Sequence, residues 1–437
     1  MSIHQNGFAG FRSHTVSAGL LSFFTLFFCA AAQAVLIDDE EVPLHQVSAQ
    51  ECRLCHMEIY EQWKGSMHAN STALADPIHR AFYKKVIGDP TKEGEKMKNG
   101  KYPVCLKCHA PNAAQDKKTK LDAMPAYKEG VNCLVCHRLK KFKGTRLPGG
   151  KLRLGIDAYE VAESCQGPSG FPTSFSQHAE MAKKAQEGED EKENPHRQKP
   201  YVSDEDVEEM ILPLESNPEM LKTSAACLGC HDKRANSHGV PLCATGDEYV
   251  AGRTHVSCQS CHMPVSNGFA NHSMGGGHDA ATLRRALFLK LDAAKGKKDI
   301  KVTVHIRNQQ PHKIPTGAPF RNMVLKVTAY DQDGKKLWEN FKTHPAKEDP
   351  QSYFVYKLLN KEGKPVPPPK ATQPGKDTRL NPYERRKLDY TIPSRNVAVV
   401  RAELYYNLLW PSLKQKLDFL PEHLKESKLM AFSEQHF

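Results

Sequence analysis

Five times in this chain two cysteines stand three residues apart with a histidine directly behind the second. The sets are Cys52, Cys55 and His56; Cys105, Cys108 and His109; Cys133, Cys136 and His137; Cys227, Cys230 and His231; and Cys258, Cys261 and His262. Two thiols at this spacing share one helical turn and reach the two vinyl groups of a single porphyrin, while the next imidazole swings under the ring to bind iron. This is the c-type haem attachment signature. Zinc also favours paired cysteines, but it takes four ligands per site and does not require a histidine behind every pair. Disulfides account for the cysteines of an exported chain but not for the five histidines. The pattern therefore predicts five covalently attached haem c groups, with His56, His109, His137, His231 and His262 on the proximal side of each iron.

Of thirteen cysteines, the motifs use ten, Cys29 lies in an apolar leader, and Cys165 and Cys243 remain. In an oxidising compartment an even remainder reads as a disulfide. A thiolate acting as an axial or active-site ligand is the alternative. The other iron faces need ligands too, and the chain has 21 histidines to draw on. His68, in Trp63-Lys64-Gly65-Ser66-Met67-His68, follows the first motif closely. His255 stands three residues before Cys258. His272 precedes a run of glycines that lets backbone approach a porphyrin face, with His278 as its substitute. His238 and His312 complete the expected set, and His178 is held in reserve. His312 would tie the C-terminal region to the haem region. Met57 and Met263 directly follow motif histidines and cannot turn back to cap their own haems, so ligation is expected to be mostly His/His.

The elements that must hold these groups come in distinct textures. Residues 1–34 carry a basic start, an apolar run and the exit Ala32-Gln33-Ala34, which together read as a secretory signal peptide. No other segment is apolar enough to span a membrane. Residues 35–295 read as a mainly α pentahaem domain with little regular secondary structure, in which porphyrins supply much of the core. Within it, 140–222 reads as a charged helical insertion, densest from Lys183 to Lys192. From 296 to 405, period-two alternation (Lys301–Ile306, Met323–Tyr330, Val397–Leu404) and the turn Asp331–Gly334 predict a small antiparallel β-sandwich. Residues 406–437 read as a short helical tail, giving an α+β chain overall. The formal net charge of +11 has an internal sink in the haem propionates, and export makes nucleic acid a poor partner.

The stretch from Cys52 to Ala69, with Tyr60, Trp63, Ser66 and His68 behind its motif, resembles the first haem segment of the cytochrome c-554 family. Gly130-Val131-Asn132-Cys133, running on to His137, is similar to a recurrent element of that family, and His255-Val256-Ser257-Cys258, closing on His262-Met263-Pro264, is similar to an element of that family and of related nitrite and hydroxylamine multihaem enzymes. The resemblance covers about residues 50–280. It implies a mostly helical fold with haems packed in close pairs, an electron conduit, and His68 and His255 as distal ligands. The fifth motif, the insertion and the β region depart from the four-haem pattern. The expected function is electron transfer by an exported, periplasmic or cell-surface protein between redox partner proteins. One alternative is an oxidoreductase with one open-faced haem acting on a small nitrogen or sulfur compound. Another is an assembly subunit that oligomerises through the β region.

Overall fold

A computed structural model describes residues 42–53, 56–168, 214–266 and 268–437. The expected signal peptide, Cys55, His178 and the Lys183–Lys192 charge run lie outside these residues.

Through residue 286 the described residues form short helices, the longest of them Pro77–Val86 at 10 residues. Proline opens several of them, at Pro77, Pro111, Pro125 and Pro218, where its missing N–H is no loss and its fixed φ suits the first turn. Side chains cap others. Asp76 accepts from Ile78 N at 2.8 Å, and Asp279 accepts from Thr282 N at 2.7 Å. The described part of the 140–222 segment is not a solvated helix. It forms two short strands, Leu139–Phe142 and Tyr159–Val161, paired antiparallel, and it buries Ile156, Ala158 and Tyr159. These apolar residues override the surrounding lysines and fold the segment back as a wall of the haem region.

The C-terminal half begins earlier than its alternation suggested. Its strands are β1 (Leu287–Lys295), β2 (Asp299–Asn308), β3 (Asn322–Tyr330), β4 (Lys336–Glu339), β5 (Tyr353–Leu359), β6 (Gln373–Asp377), β7 (Arg385–Pro393), β8 (Val399–Asn407) and β9 (Lys428–His436). One antiparallel sheet has the order β7-β2-β1. The other runs β6-β5-β3-β8-β9, with β4 paired to β3. In β2, Ile300, Val302, Val304 and Ile306 are buried while Lys301 and Arg307 are exposed, as the pleat requires. These four share one core with Leu325 and Val327 of β3, Leu388 and Ile392 of β7, and Ala402 and Leu404 of β8. The expected helical tail needs correction. A short helix, Pro411–Lys416, is followed by β9, which pairs with β8 along its length. An open edge on β8 offers hydrogen bonds that an isolated tail helix cannot match.

Val42–Phe437 forms a single compact unit. Phe82 stacks on Phe320 with ring centroids 5.4 Å apart, and Asn236 donates to the carbonyls of Pro368 and Ala371. Among the described residues no helix is long and apolar enough to cross a membrane.

Candidate functional site

The second to fifth motifs are each wound into about one helical turn, and that winding puts the two cysteine side chains on one side. His109 N donates to Cys105 O at 3.0 Å, His137 N to Cys133 O at 2.9 Å, and His56 N to Cys52 O at 2.9 Å. Asn132 and Ser257 cap the third and fifth motif helices through Val135 N and Ser260 N. The fourth motif is read from Tyr159. Its hydroxyl accepts from Gly229 N at 2.7 Å and donates to Ala226 O at 2.9 Å. A Cβ on Gly229 would run into the Tyr159 ring, which is why the residue before Cys230 has no side chain. Gly130, at φ +68°, is needed for a related reason. It lies against the His68 and Ala69 carbonyls, and Val131 N donates to His68 O at 3.0 Å while Val131 O accepts from Trp63 Nε1 at 2.8 Å. The lead-in to the third motif thereby holds the loop that carries His68.

The histidine rings are oriented by backbone carbonyls. Nδ1 of His109 is 3.0 Å from Ser71 O, Nδ1 of His137 is 2.9 Å from Gln166 O, and Nδ1 of His262 is 2.7 Å from Gly275 O. His272 makes the same contact with Ala270 O at 2.7 Å, His312 with Lys313 O at 2.9 Å, and His79 with Ser71 O at 2.9 Å. Nδ1 of His68 meets the sulfur of Met274. Holding Nδ1 leaves Nε2 as the metal-facing nitrogen.

Three motif histidines face a histidine remote in sequence. Ring centroids are 6.0 Å apart for His231 and His68, 6.4 Å for His137 and His272, and 6.4 Å for His262 and His312. An iron held by two imidazole nitrogens at about 2 Å each sets the centroids at roughly 6 Å. These residues fit a bis-imidazole haem. A fourth pair, His109 and His79, stands at 4.1 Å and must open by about 2 Å to admit an iron between the rings. Among the described residues no group of three or more His, Cys, Asp or Glu side chains converges on one point.

All four pairs line one continuous cavity of about 2740 Å³, several times the size of an ordinary small-molecule pocket, about 300–1,000 Å³. The described motif cysteines line it too, with Ile59, Phe82, Leu228, Leu283 and Phe320 among its apolar walls. Cysteines of different motifs are near neighbours across it: Cys52 and Cys133, Cys108 and Cys230, and Cys227 and Cys258. His56 also lies close enough to His137 and His272 to act on both rings electrostatically. Burial lowers the rings of His79, His109, His137, His231, His272 and His312, and carries His68 down to about 4. At neutral pH these imidazoles keep the lone pair a metal needs.

Several expected residues stand elsewhere. His255 and His238 are exposed and do not line the cavity. His255 sits in the turn before the fifth motif. His238 occupies the turn between Arg234–Ala235 and Pro241–Cys243, with its backbone N–H held by Asn236 Oδ1 at 2.9 Å. Short loops at the surface place both rings outward. His278 lines the cavity near Arg321, and burial lowers it to about 4. The expected Cys165–Cys243 disulfide is not formed. Cys165 is buried near Cys52, whereas Cys243 contacts Thr245 Oγ1, because their strands pair with different neighbours. His79 escaped the sequence reading. Its signal was the strong helix start Asp76-Pro77, which sets His79 on the first turn facing back toward Ser71.

Paired histidines around a cavity edged by Cys-x-x-Cys-His turns define a multihaem c-type cytochrome. The sequence profile of the family Cytochrome c554 and c-prime matches residues 51–138. A search of curated proteins finds no match. Among solved structures, a penta-heme cytochrome c552 from Thermochromatium tepidum is 53% identical, covering 90% of this chain and 100% of its own, with a TM-score of 0.83. The chain belongs to the multihaem c-type cytochromes. As a member it holds haem c covalently at its Cys-x-x-Cys-His motifs, of which it has five.

Proposed function

We propose that this protein is an exported electron carrier in which most haems are ligated by two histidines. The observation that carries the reading is the three histidine pairs set 6.0–6.4 Å apart around one cavity. Bound haem c supplies a one-electron couple. The chain's own work is to present neutral, carbonyl-anchored imidazoles and to hold its attachment turns side by side. The first motif lies beside the third, the second beside the fourth, and the fourth beside the fifth. The fourth motif thus adjoins two others and acts as a junction.

The two sheets around one core read as an antiparallel β-sandwich, which lends His312 to the fifth haem. The leader features of residues 1–34 support export to the periplasm, and the net charge of +11 suits docking to an acidic redox partner. A second reading, catalysis at one open-faced haem on a small nitrogen or sulfur compound, is favoured by the His79–His109 pair, which at 4.1 Å does not enclose an iron. The deciding experiment is EPR of the fully oxidised holoprotein, with spins counted, alone and with nitrite or hydroxylamine. Low-spin haems indifferent to both compounds support the carrier. A high-spin signal that shifts with either compound, and is lost when that haem is unlinked in C105A/C108A, supports catalysis at the second site.

A further inference from the structure

His312 reaches the haem region from a loop of the strand-rich half, so some part of the fold must set its distance to His262. Glu248, on the helix Thr245–Ala251 just before the fifth motif, is only 5% exposed. Its Oε2 accepts from Thr316 Oγ1 at 2.5 Å, and its Oε1 accepts from Arg379 Nη1 at 2.9 Å. Thr316 Oγ1 also lies 2.9 Å from Thr245 Oγ1. Arg379 grips Asp377 through Nε at 2.9 Å and Nη2 at 2.8 Å, and Asp377 takes Lys313 Nζ at 2.8 Å. The loop is tied at its other points as well. His312 O accepts from the buried Asn308 Nδ2 at 2.8 Å, and Ile314 exchanges both backbone hydrogen bonds with Leu380. A Cβ on Gly252, at the end of the same helix, would strike the carbonyl of Pro311. The helix that leads into the fifth motif is therefore locked to both flanks of His312.

We propose that Glu248, Thr316 and Arg379 form a positioning clamp that sets the axial geometry of the fifth haem. This rests on the reading of His312 as that haem's distal ligand. The clamp is balanced in charge, with Glu248 and Asp377 against Arg379 and Lys313. A buried ion pair broken at one partner leaves the other charge uncompensated. Removing the Glu248 charge therefore does two things. It loosens the loop, and it leaves a net positive charge that favours the reduced iron.

The test uses the holoprotein, with H312A, E248Q, T316V and T316S compared by haem content, EPR of the oxidised form, CO binding of the reduced form and potentiometric titration. H312A is expected to make one haem high-spin and CO-reactive. E248Q and T316V are expected to raise the CO-reactive fraction roughly tenfold over the parent. E248Q alone should also shift one midpoint potential upward, and T316S should restore parental behaviour. E248Q and T316V proteins with full haem content but parental spin state, CO binding and potentials would overturn the clamp while leaving His312 a ligand. All haems low-spin in H312A would instead remove the ligand assignment itself. If E248Q fails to load haem, T316V decides, since it keeps every charge.

Discussion

From residue 287 onward the buried apolar side chains gather chiefly into one continuous cluster, whereas before residue 287 they fall into small groups around a cavity. Ile300, Leu325, Phe354 and Leu404 are fully buried by each other and by their neighbours across two sheets. In the earlier segment, Leu106, Ala113 and Leu121 make one compact group, and Tyr60 and Trp63 make another, while the histidines and thiols between them face the cavity. One half encloses its own interior. The other leaves its interior to be filled by porphyrin, and short helices with proline starts are enough to fold it because they need only wrap a rigid apolar plate.

The largest effect that sharpens this contrast is expected from unlinking the fourth haem. C227A/C230A should destabilise the motif-rich half by at least about 5 kcal/mol or prevent its assembly, since cofactor binding there is also folding energy. Soret-monitored thermal unfolding and limited proteolysis check this. Unchanged protease resistance before residue 287 would mean that half carries a core of its own. Next comes F354A, which empties a fully buried site in the strand-rich core and should lower stability by about 3–5 kcal/mol. Denaturant titration reads the loss, and the haem spectrum of the folded protein should stay parental.

A smaller effect concerns acid. The His278 ring is held at about 4, first by burial and then by Arg321, Lys428 and His423. As pH falls below the usual 6.5, the unfolded chain takes up this proton before the folded one. The contribution of neutral His278 is thus complete above about pH 6.5 and is lost on descending toward pH 4. Stability measured across that window should fall less steeply in H278Q, and equal slopes would place His278 in a wetter setting than the fold implies. The smallest effects belong to H238A and H255A. Each should change stability by no more than about 0.5 kcal/mol and leave the spin state untouched. A new high-spin haem in either variant would return that residue to the ligand set.

The strands of the second half were legible because period-two alternation survives wherever one face is buried. β9 was not, since Lys428-Leu429-Met430-Ala431-Phe432 becomes a strand only where the edge of β8 is present to pair with it. The wall formed by Leu139–Phe142 and Tyr159–Val161 was hidden in the same way, behind a lysine-rich composition that says nothing of which few apolar residues turn inward.

The five attachment points for haem c were legible in the Cys-x-x-Cys-His spacing alone. That chemistry is complete within five residues, and one helical turn brings its groups together whatever the rest of the chain does. Only the tertiary structure decided what faces them. His68 meets His231, His272 meets His137, and His312 meets His262 across gaps of fifty to more than a hundred and fifty residues. His255, three residues from a motif and so the more plausible on spacing, points to solvent. Its expected role, reaching a neighbouring haem, depends on which way a short surface turn faces, and spacing along the chain does not set that direction.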